Sequence, residues 1–143
     1  MQVRFTVLGE PKGKGRPRAT VRGGFAKVYT PKDTVMYENL VRLEYRQQCG
    51  DYMFPEGSVL DMRIAAFYSI PKSASKKTRR QMEEGNIRPV KKPDMDNVVK
   101  SIADSLNGVA YRDDTQIVDC AVRKFYSDKP RVVITIKEIE KNE

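Results

Sequence analysis

The chain concentrates acidic side chains in one short stretch although it is strongly basic overall. Six of its nineteen acids lie within residues 94–119 together with only two basic residues, whereas the whole chain carries a net charge of +8. The six are Asp94, Asp96, Asp104, Asp113, Asp114 and Asp119. Neighbouring carboxylates repel one another, and this repulsion separates their pKa values unless a cation offsets it. Oxygen ligands without His or Cys suit Mg²⁺ or Mn²⁺.

The absence of histidine limits the chemistry that the chain can perform. With no histidine in the sequence, Ser-His-Asp triads, His-dependent zinc sites and nucleases with a histidine general base are excluded. Cys49 and Cys120 lie far apart in the sequence and form no zinc-binding pattern. Any catalysis therefore has to use carboxylates, lysines or hydroxyls, with or without a bound metal ion.

Two interpretations of the acidic stretch stay open at this point. Asp96, Lys100 and Asp104 are spaced i, i+4, i+8 and share one face of a helix. This face could be exposed to solvent and form salt bridges among its own side chains. Asp94 or Asp96 would then be an ordinary N-cap. Alternatively, Lys100 stands beside a carboxylate site and holds a phosphate. Spacing alone favours the solvated face, but the acids at 113–114 favour the site, because three or four carboxylates would converge if that segment packs beside the helix.

Two basic segments precede the acids in the sequence. Residues 10–32 contain seven Lys or Arg against one acid, and residues 71–92 contain eight against two, so each segment has a net charge of +6. Such charge favours a polyanionic partner, since neutralised phosphates release counterions. A divalent cation would lower the pKa of a water and neutralise charge on a phosphate. The combination indicates phosphodiester hydrolysis.

Alternating apolar residues predict strands at 2–8 and 58–70, and two more at 116–126 and 131–139 joined as an antiparallel hairpin. The glycine-rich residues 9–25 predict a long mobile loop.

Three helices are predicted. One begins with Thr30 as N-cap and runs to about Gln48, one lies between residues 73 and 85, and an amphipathic one spans 96–106. We therefore expect one domain over residues 1–143 of the α+β or mixed α/β class. It would contain a mixed sheet of about four or five strands packed by two or three helices.

The stretch from Lys91 to Ile117 resembles the RusA family of Holliday junction resolvases. The signature of that family is KPDxDNxxK, then xxxDxLNG, then DDxQI. This chain has the same order and spacing in Lys92–Asn97, Lys100, Asp104, Leu106–Gly108 and Asp113–Ile117. The KGRPR loop, the YTPKD segment and the Ser/Lys-rich segment before the signature are also similar to the family.

This resemblance implies a homodimeric, Mg²⁺-dependent endodeoxyribonuclease, with Mn²⁺ as a possible substitute, that acts in DNA recombination and repair. It implies cutting of four-way junctions by paired symmetric nicks, and a mixed sheet on which the signature helix packs. The implied catalytic residues are Asp94, Asp96, Asp114 and Lys100. The three aspartates would hold the metal, with Asp113 as the alternative to Asp114.

We expect the basic loop 9–28 and the basic segment 71–92 to contact DNA backbones. The candidate contacts are Lys14, Arg16, Arg18, Lys76, Lys77, Arg79 and Arg80. For each of these side chains taken singly, a solvated surface without a partner remains the alternative.

Two other functions compete with junction resolution. A structure-specific nuclease could act on flaps or forks instead, and a non-catalytic protein could bind branched DNA, although it would leave the acids unexplained. No apolar run approaches the roughly 18 residues that span a bilayer, and the N-terminus lacks a signal-peptide pattern. We therefore expect no membrane association and a cytoplasmic location in a bacterial host, as a bacterial or phage-encoded protein.

Overall fold

The computed structural model describes residues 1–15 and 18–140 and has an α+β fold. A four-stranded mixed sheet has the strand order β1-β6-β4-β5, and β2 and β3 form a separate two-stranded sheet. The elements are β1 (Gln2–Leu8), β2 (Arg18–Arg22), β3 (Phe25–Tyr29), α1 (Lys32–Cys49), β4 (Leu60–Ser69), α2 (Lys76–Glu83), α3 (Met95–Ser105), β5 (Ile117–Ser127) and β6 (Arg131–Glu138). Over these ranges no helix has the length and apolarity needed to cross a bilayer.

The core lies on one face of the sheet, under α1 and α3. Alternation along β4 buries Leu60, Met62, Ile64, Ala66 and Tyr68, as the sequence predicts. Helix α3 contributes its apolar stripe, and α1 contributes Tyr37, Val41 and Tyr45. The predicted class, the mixed sheet and the helix packed on it are therefore confirmed.

The predicted hairpin between the last two strands is wrong. Strand β5 pairs in parallel with β4, and β6 pairs antiparallel with both β4 and β1, so β4 separates the two strands. The burial patterns explain the order, because β6 alternates buried residues and suits the interior of the sheet. Strand β5 contains no buried residue and suits an edge. A parallel pair also needs a crossover connection, which α2 and α3 provide.

The glycine-rich segment is more ordered than the sequence suggests. Residues 18–29 form the antiparallel ribbon of β2 and β3 rather than a mobile loop. Gly23 and Gly24 have φ values of 57° and 81° at its turn, as a two-residue hairpin turn of type I′ requires at both central residues. Residues 9–15 precede the ribbon without regular secondary structure.

The helix ends follow the predicted signals with one shift. Helix α1 begins at Lys32 with Pro31 at its N-cap position, one residue later than predicted from Thr30, and it ends at Gly50 with φ 70°. Helix α2 begins after Ser75, whose hydroxyl accepts a hydrogen bond from the backbone N–H of Thr78 at 3.1 Å. Serine at this position satisfies one of the otherwise unpaired N–H groups of the first turn.

A buried hydroxyl links α3 to the segment that follows it, and its removal should destabilise the fold. Tyr111 is fully buried, and its hydroxyl donates to the backbone carbonyl of Ala103 at 2.6 Å. Replacement Tyr111→Phe leaves that carbonyl without its donor, so we expect the free energy of unfolding to fall by about 1–2 kcal/mol in urea titrations followed by circular dichroism. Tyr29→Phe, on the exposed ribbon, is the control and should change it by less than about 0.5 kcal/mol. Equal effects would contradict the assignment.

Candidate active site

Strand β4 holds the start of α3 in place. The hydroxyl of the buried Tyr68 donates to the backbone carbonyl of Pro93 at 2.7 Å, directly before Asp94. Burial, with the negative charge of Asp94 as a further cause, raises the pKa of Tyr68 to about 12. Tyr68 therefore keeps its proton and remains a donor at neutral pH. This bond fixes the backbone from which the first carboxylate projects.

Asp94 and Asp96 are not used as helix caps. Asp94 occupies the N-cap position of α3 with extended backbone angles. Its side chain nevertheless makes no capping hydrogen bond to the first turn of α3. Asp96 lies in the first turn. The helix N-terminus favours negative charge there. Both carboxylates thus remain accessible for another partner.

A cleft of about 380 Å³ runs along the outer face of α3. Four of the predicted site residues line it together: the proposed catalytic residues Asp94, Asp96 and Lys100, and Lys14, predicted as a DNA contact. The remaining lining residues are Asn97, Asp104 and Gly15. The helical spacing of Asp96, Lys100 and Asp104 therefore places a lysine between two aspartates in a row along the cleft.

Asp113 and Asp114 take different roles. Asp113 is exposed, and its carboxylate accepts a hydrogen bond from the backbone N–H of Thr115 at 3.1 Å. Hydrogen bonds from Thr115 lower the pKa of Asp113. Asp114 is held by its backbone N–H, which donates to Asn107 Oδ1 at 2.8 Å. Burial, followed by the negative charge of Asp104, raises the pKa of Asp114. Of the two, Asp114 is the one that lies beside a carboxylate of α3, that of Asp104.

Lys14 belongs to the acidic site. Its ammonium nitrogen lies 2.5 Å from Asp104 Oδ2 and 3.9 Å from Glu38 Oε1. The hydrogen bond to Asp104, together with the negative charges of Asp104, Glu38 and Asp114, raises the pKa of Lys14. Lys14 is therefore a protonated cation within the cleft. Sequence reasoning missed this contact and left Asp104 out of the predicted site.

Two glycines allow Lys14 to reach this position. A Cβ on Gly13 would lie 3.0 Å from the Cβ atoms of Pro93 and Asn97, at the start of α3. A Cβ on Gly15 would lie 2.6 Å from Thr34 Oγ1, which accepts a hydrogen bond from the Gly15 N–H at 2.9 Å. The loop thus passes closely between α1 and α3. The KGKG spacing around Lys14 was the available signal in the sequence.

The donor chemistry of the cleft fits a hard divalent cation, but the carboxylates do not form one compact group. Over residues 1–15 and 18–140, no three acidic or thiol side chains lie close enough together to hold a metal ion. Helix geometry explains this, since eight residues from Asp96 to Asp104 correspond to a rise of about 12 Å. Asp94 and Asp96 mark one end of the cleft, and Asp114 lies beside Asp104 at the other. The structure therefore does not bring Asp114 to Asp94 and Asp96.

The predicted DNA-contacting residues belong to different segments of the chain, and Lys14 lines the α3 cleft. Lys76, Lys77 and Arg80 are exposed on α2, whereas Arg79 is half-buried there. Arg18 is exposed at the start of the β2–β3 ribbon, and Arg16 lies outside the described residues.

Comparison with known proteins identifies the family. Residues 9–137 match the family model described as endodeoxyribonuclease RusA, a range that includes both Lys14 and the whole acidic stretch. The chain is also 38% identical over 139 residues to the uncharacterized protein YqaN of Bacillus subtilis (strain 168), and the aligned region covers 96% of each chain. The chain therefore belongs to the RusA family of endodeoxyribonucleases.

Proposed function

We propose that this protein is a Mg²⁺-dependent endodeoxyribonuclease that resolves four-way DNA junctions by paired symmetric nicks. The observation that carries the proposal is the cleft on α3, where Asp94 and Asp96 stand beside Lys100 in a member of a nuclease family. A net charge of +8 supports a nucleic-acid substrate.

Asp94 and Asp96 are the proposed ligands of the metal ion, and Mn²⁺ is a suitable substitute for Mg²⁺. Mg²⁺ keeps several waters and is commonly held by one or two protein carboxylates together with substrate phosphate, so a pair of aspartates is sufficient. When bound, the ion lowers the pKa of a water and neutralises charge on the scissile phosphate. Asp114 stays in the proposed catalytic set by its place in the signature, and its position beside Asp104 makes it a better candidate than the exposed Asp113.

Lys100 provides positive charge beside the proposed ligands. In the reaction a water oxygen bonds to phosphorus, the bond from phosphorus to the 3′ oxygen breaks, and that oxygen takes up a proton. The products are a 5′-phosphate and a 3′-hydroxyl. An ammonium within the cleft stabilises the negative charge that develops on the phosphate oxygens.

The exposed cations of α2 and of the β2–β3 ribbon are the proposed contacts to DNA backbones. Such contacts position the protein without reading sequence. Two symmetric nicks require two clefts, and we therefore include a homodimer in the proposal. A structure-specific nuclease acting on flaps or forks is the second candidate, while a protein that only binds DNA leaves the carboxylate cleft without a role.

Removal of one proposed ligand should abolish cleavage and preserve binding. We expect Asp96→Asn to reduce the Mg²⁺-dependent cleavage of a labelled four-way junction by at least about 100-fold. Junction affinity measured in EDTA should stay close to that of the wild type. Asp128→Asn, in the turn between β5 and β6, is a matched change of charge outside the cleft and should cut normally. Full cleavage by Asp96→Asn would exclude this residue as a ligand.

Substrate choice and paired nicking can be tested on a plasmid with an extruded cruciform. Two symmetric nicks within one complex convert the supercoiled plasmid directly into linear DNA, which we expect to be the first product. Nicked circles as the main product would contradict a paired mechanism. Competition with unlabelled flap, fork and duplex DNA then separates the two nuclease candidates, because a resolvase should be displaced efficiently by the four-way junction alone.

The lysines at the start of α2 should act through charge. We expect Lys76→Ala/Lys77→Ala to weaken binding to junction and duplex DNA alike and to flatten the dependence of log K on log salt by about one unit per lost phosphate contact. The matched control is Lys129→Ala/Lys137→Ala, which removes two exposed lysines from the β6 region. An equal loss in the control would show that only net charge matters and that α2 makes no defined contact.

A further inference from the structure

The cleft needs more positive charge than Lys100 supplies if it is to accept a phosphate. Its described lining contains three carboxylates, Asp94, Asp96 and Asp104, against two ammonium groups, Lys14 and Lys100. A phosphate is repelled by this balance, and a divalent ion at Asp94 and Asp96 would reverse it only at that end. At the other end Lys14 is the cation in contact with Asp104.

We infer that Lys14 is a second substrate-contacting lysine of the cleft and that Asp104 is its positioning residue. This inference rests on the proposed function and adds two residues to the proposed catalytic set. Lys14 was expected only to contact a DNA backbone, and Asp104 matches the signature without an assigned role. Lys14 donates to Asp104, which is separated from it by 90 positions in sequence, so a loop lysine is directed onto α3 by one specific carboxylate. An ammonium has three donors, so Lys14 can bind a phosphate oxygen while it keeps Asp104.

The surroundings show a defined site for this side chain. Gly13 and Gly15 flank Lys14 and both make approaches that a side chain would obstruct. Glu38 faces Lys14 from α1 and is in turn paired with Arg42, whose Nη2 lies 3.6 Å from Glu38 Oε2. The Lys14 ammonium is therefore fixed from two helices. A lysine that only gripped a distant DNA backbone would need no such support.

The role of Asp104 follows from this arrangement. Its carboxylate is already occupied by the ammonium at 2.5 Å, and Asp114 is the acid next to it. Holding a flexible side chain in advance lowers the entropy lost when the substrate binds. Asp104 thus acts on the substrate through Lys14, and not by direct contact with the phosphate.

Single-turnover cleavage of a four-way junction by excess protein tests this pair, since it isolates the bound complex. We expect Lys14→Gln to slow cleavage by about 100-fold and to change junction affinity by less than about threefold. Asp104→Asn should slow cleavage by about tenfold, and Asp104→Glu should recover part of that loss. The double variant Lys14→Gln/Asp104→Asn should cut no more slowly than Lys14→Gln alone, because the carboxylate has nothing left to position.

The matched control is Lys129→Gln, an exposed lysine in the turn between β5 and β6, which should keep the wild-type rate of cleavage of the bound junction. Thermal unfolding of each variant separates positioning from folding, since the rate losses should not follow the changes in Tm. Three results would each overturn the inference. The losses in cleavage rate could multiply in the double variant, Lys14→Gln could change only the junction affinity, or Lys14→Gln could cut at the normal rate. If the wild type binds junctions but cuts none, the proposed function itself fails. If the wild type and the Lys14 variant cut at the same rate, only the inference about Lys14 fails.

Discussion

The parallel pairing of β4 with β5 determines where the candidate site can be. Parallel neighbours cannot be joined by a tight turn, so the chain has to leave the end of β4 and return to its start. That crossover contains α2, the segment before Asp94, α3 and the turn with Asp114. Val98, Ile102 and Leu106 bury the apolar stripe of α3 against the sheet, which leaves its acidic face outward. The same packing that stabilises the fold therefore exposes the carboxylates in one row.

Electrostatic balance explains why the N-terminal loop is tied to that row. Burial and, after it, the adjacent negative charge of Asp104 raise the pKa of Asp114, so an ionised carboxylate at the far end of α3 is costly even with an ammonium nearby. Lys14 lowers this cost and is itself stabilised in its charged form. Gly13 lets the loop approach the start of α3 and Gly15 lets it approach α1, so the position of Lys14 beside Asp104 depends on both glycines.

Features that depend on local periodicity could be predicted from the sequence, and those that depend on long-range pairing could not. The buried face of β4 and the two faces of α3 follow from residue spacing within single elements. Strand β6 lies inside the sheet because its alternate residues are buried, whereas β5 has no buried residue and lies at the edge. Consecutive strands joined by a short turn favour a hairpin when only the local sequence is considered. By composition the Gly23–Gly24 pair predicts part of a glycine-rich mobile loop, although two glycines also suit the turn of a tight hairpin. The Lys14–Asp104 contact leaves no periodic trace, and only the glycines on either side of Lys14 hint at it.

The length of helix α3 also limits which residues can act on the same metal ion. A rise of about 12 Å from Asp96 to Asp104 is too long for both to hold one ion, or to form a two-metal site with ions roughly 4 Å apart. The two ends of the cleft must therefore differ in function. A metal ion at Asp94 and Asp96 and the Lys14 ammonium at Asp104 would place positive charge on both sides of Lys100, which lies midway along the row. Under that arrangement a phosphate is attracted along the whole cleft only after the metal has bound, so an acidic face becomes compatible with a polyanionic substrate.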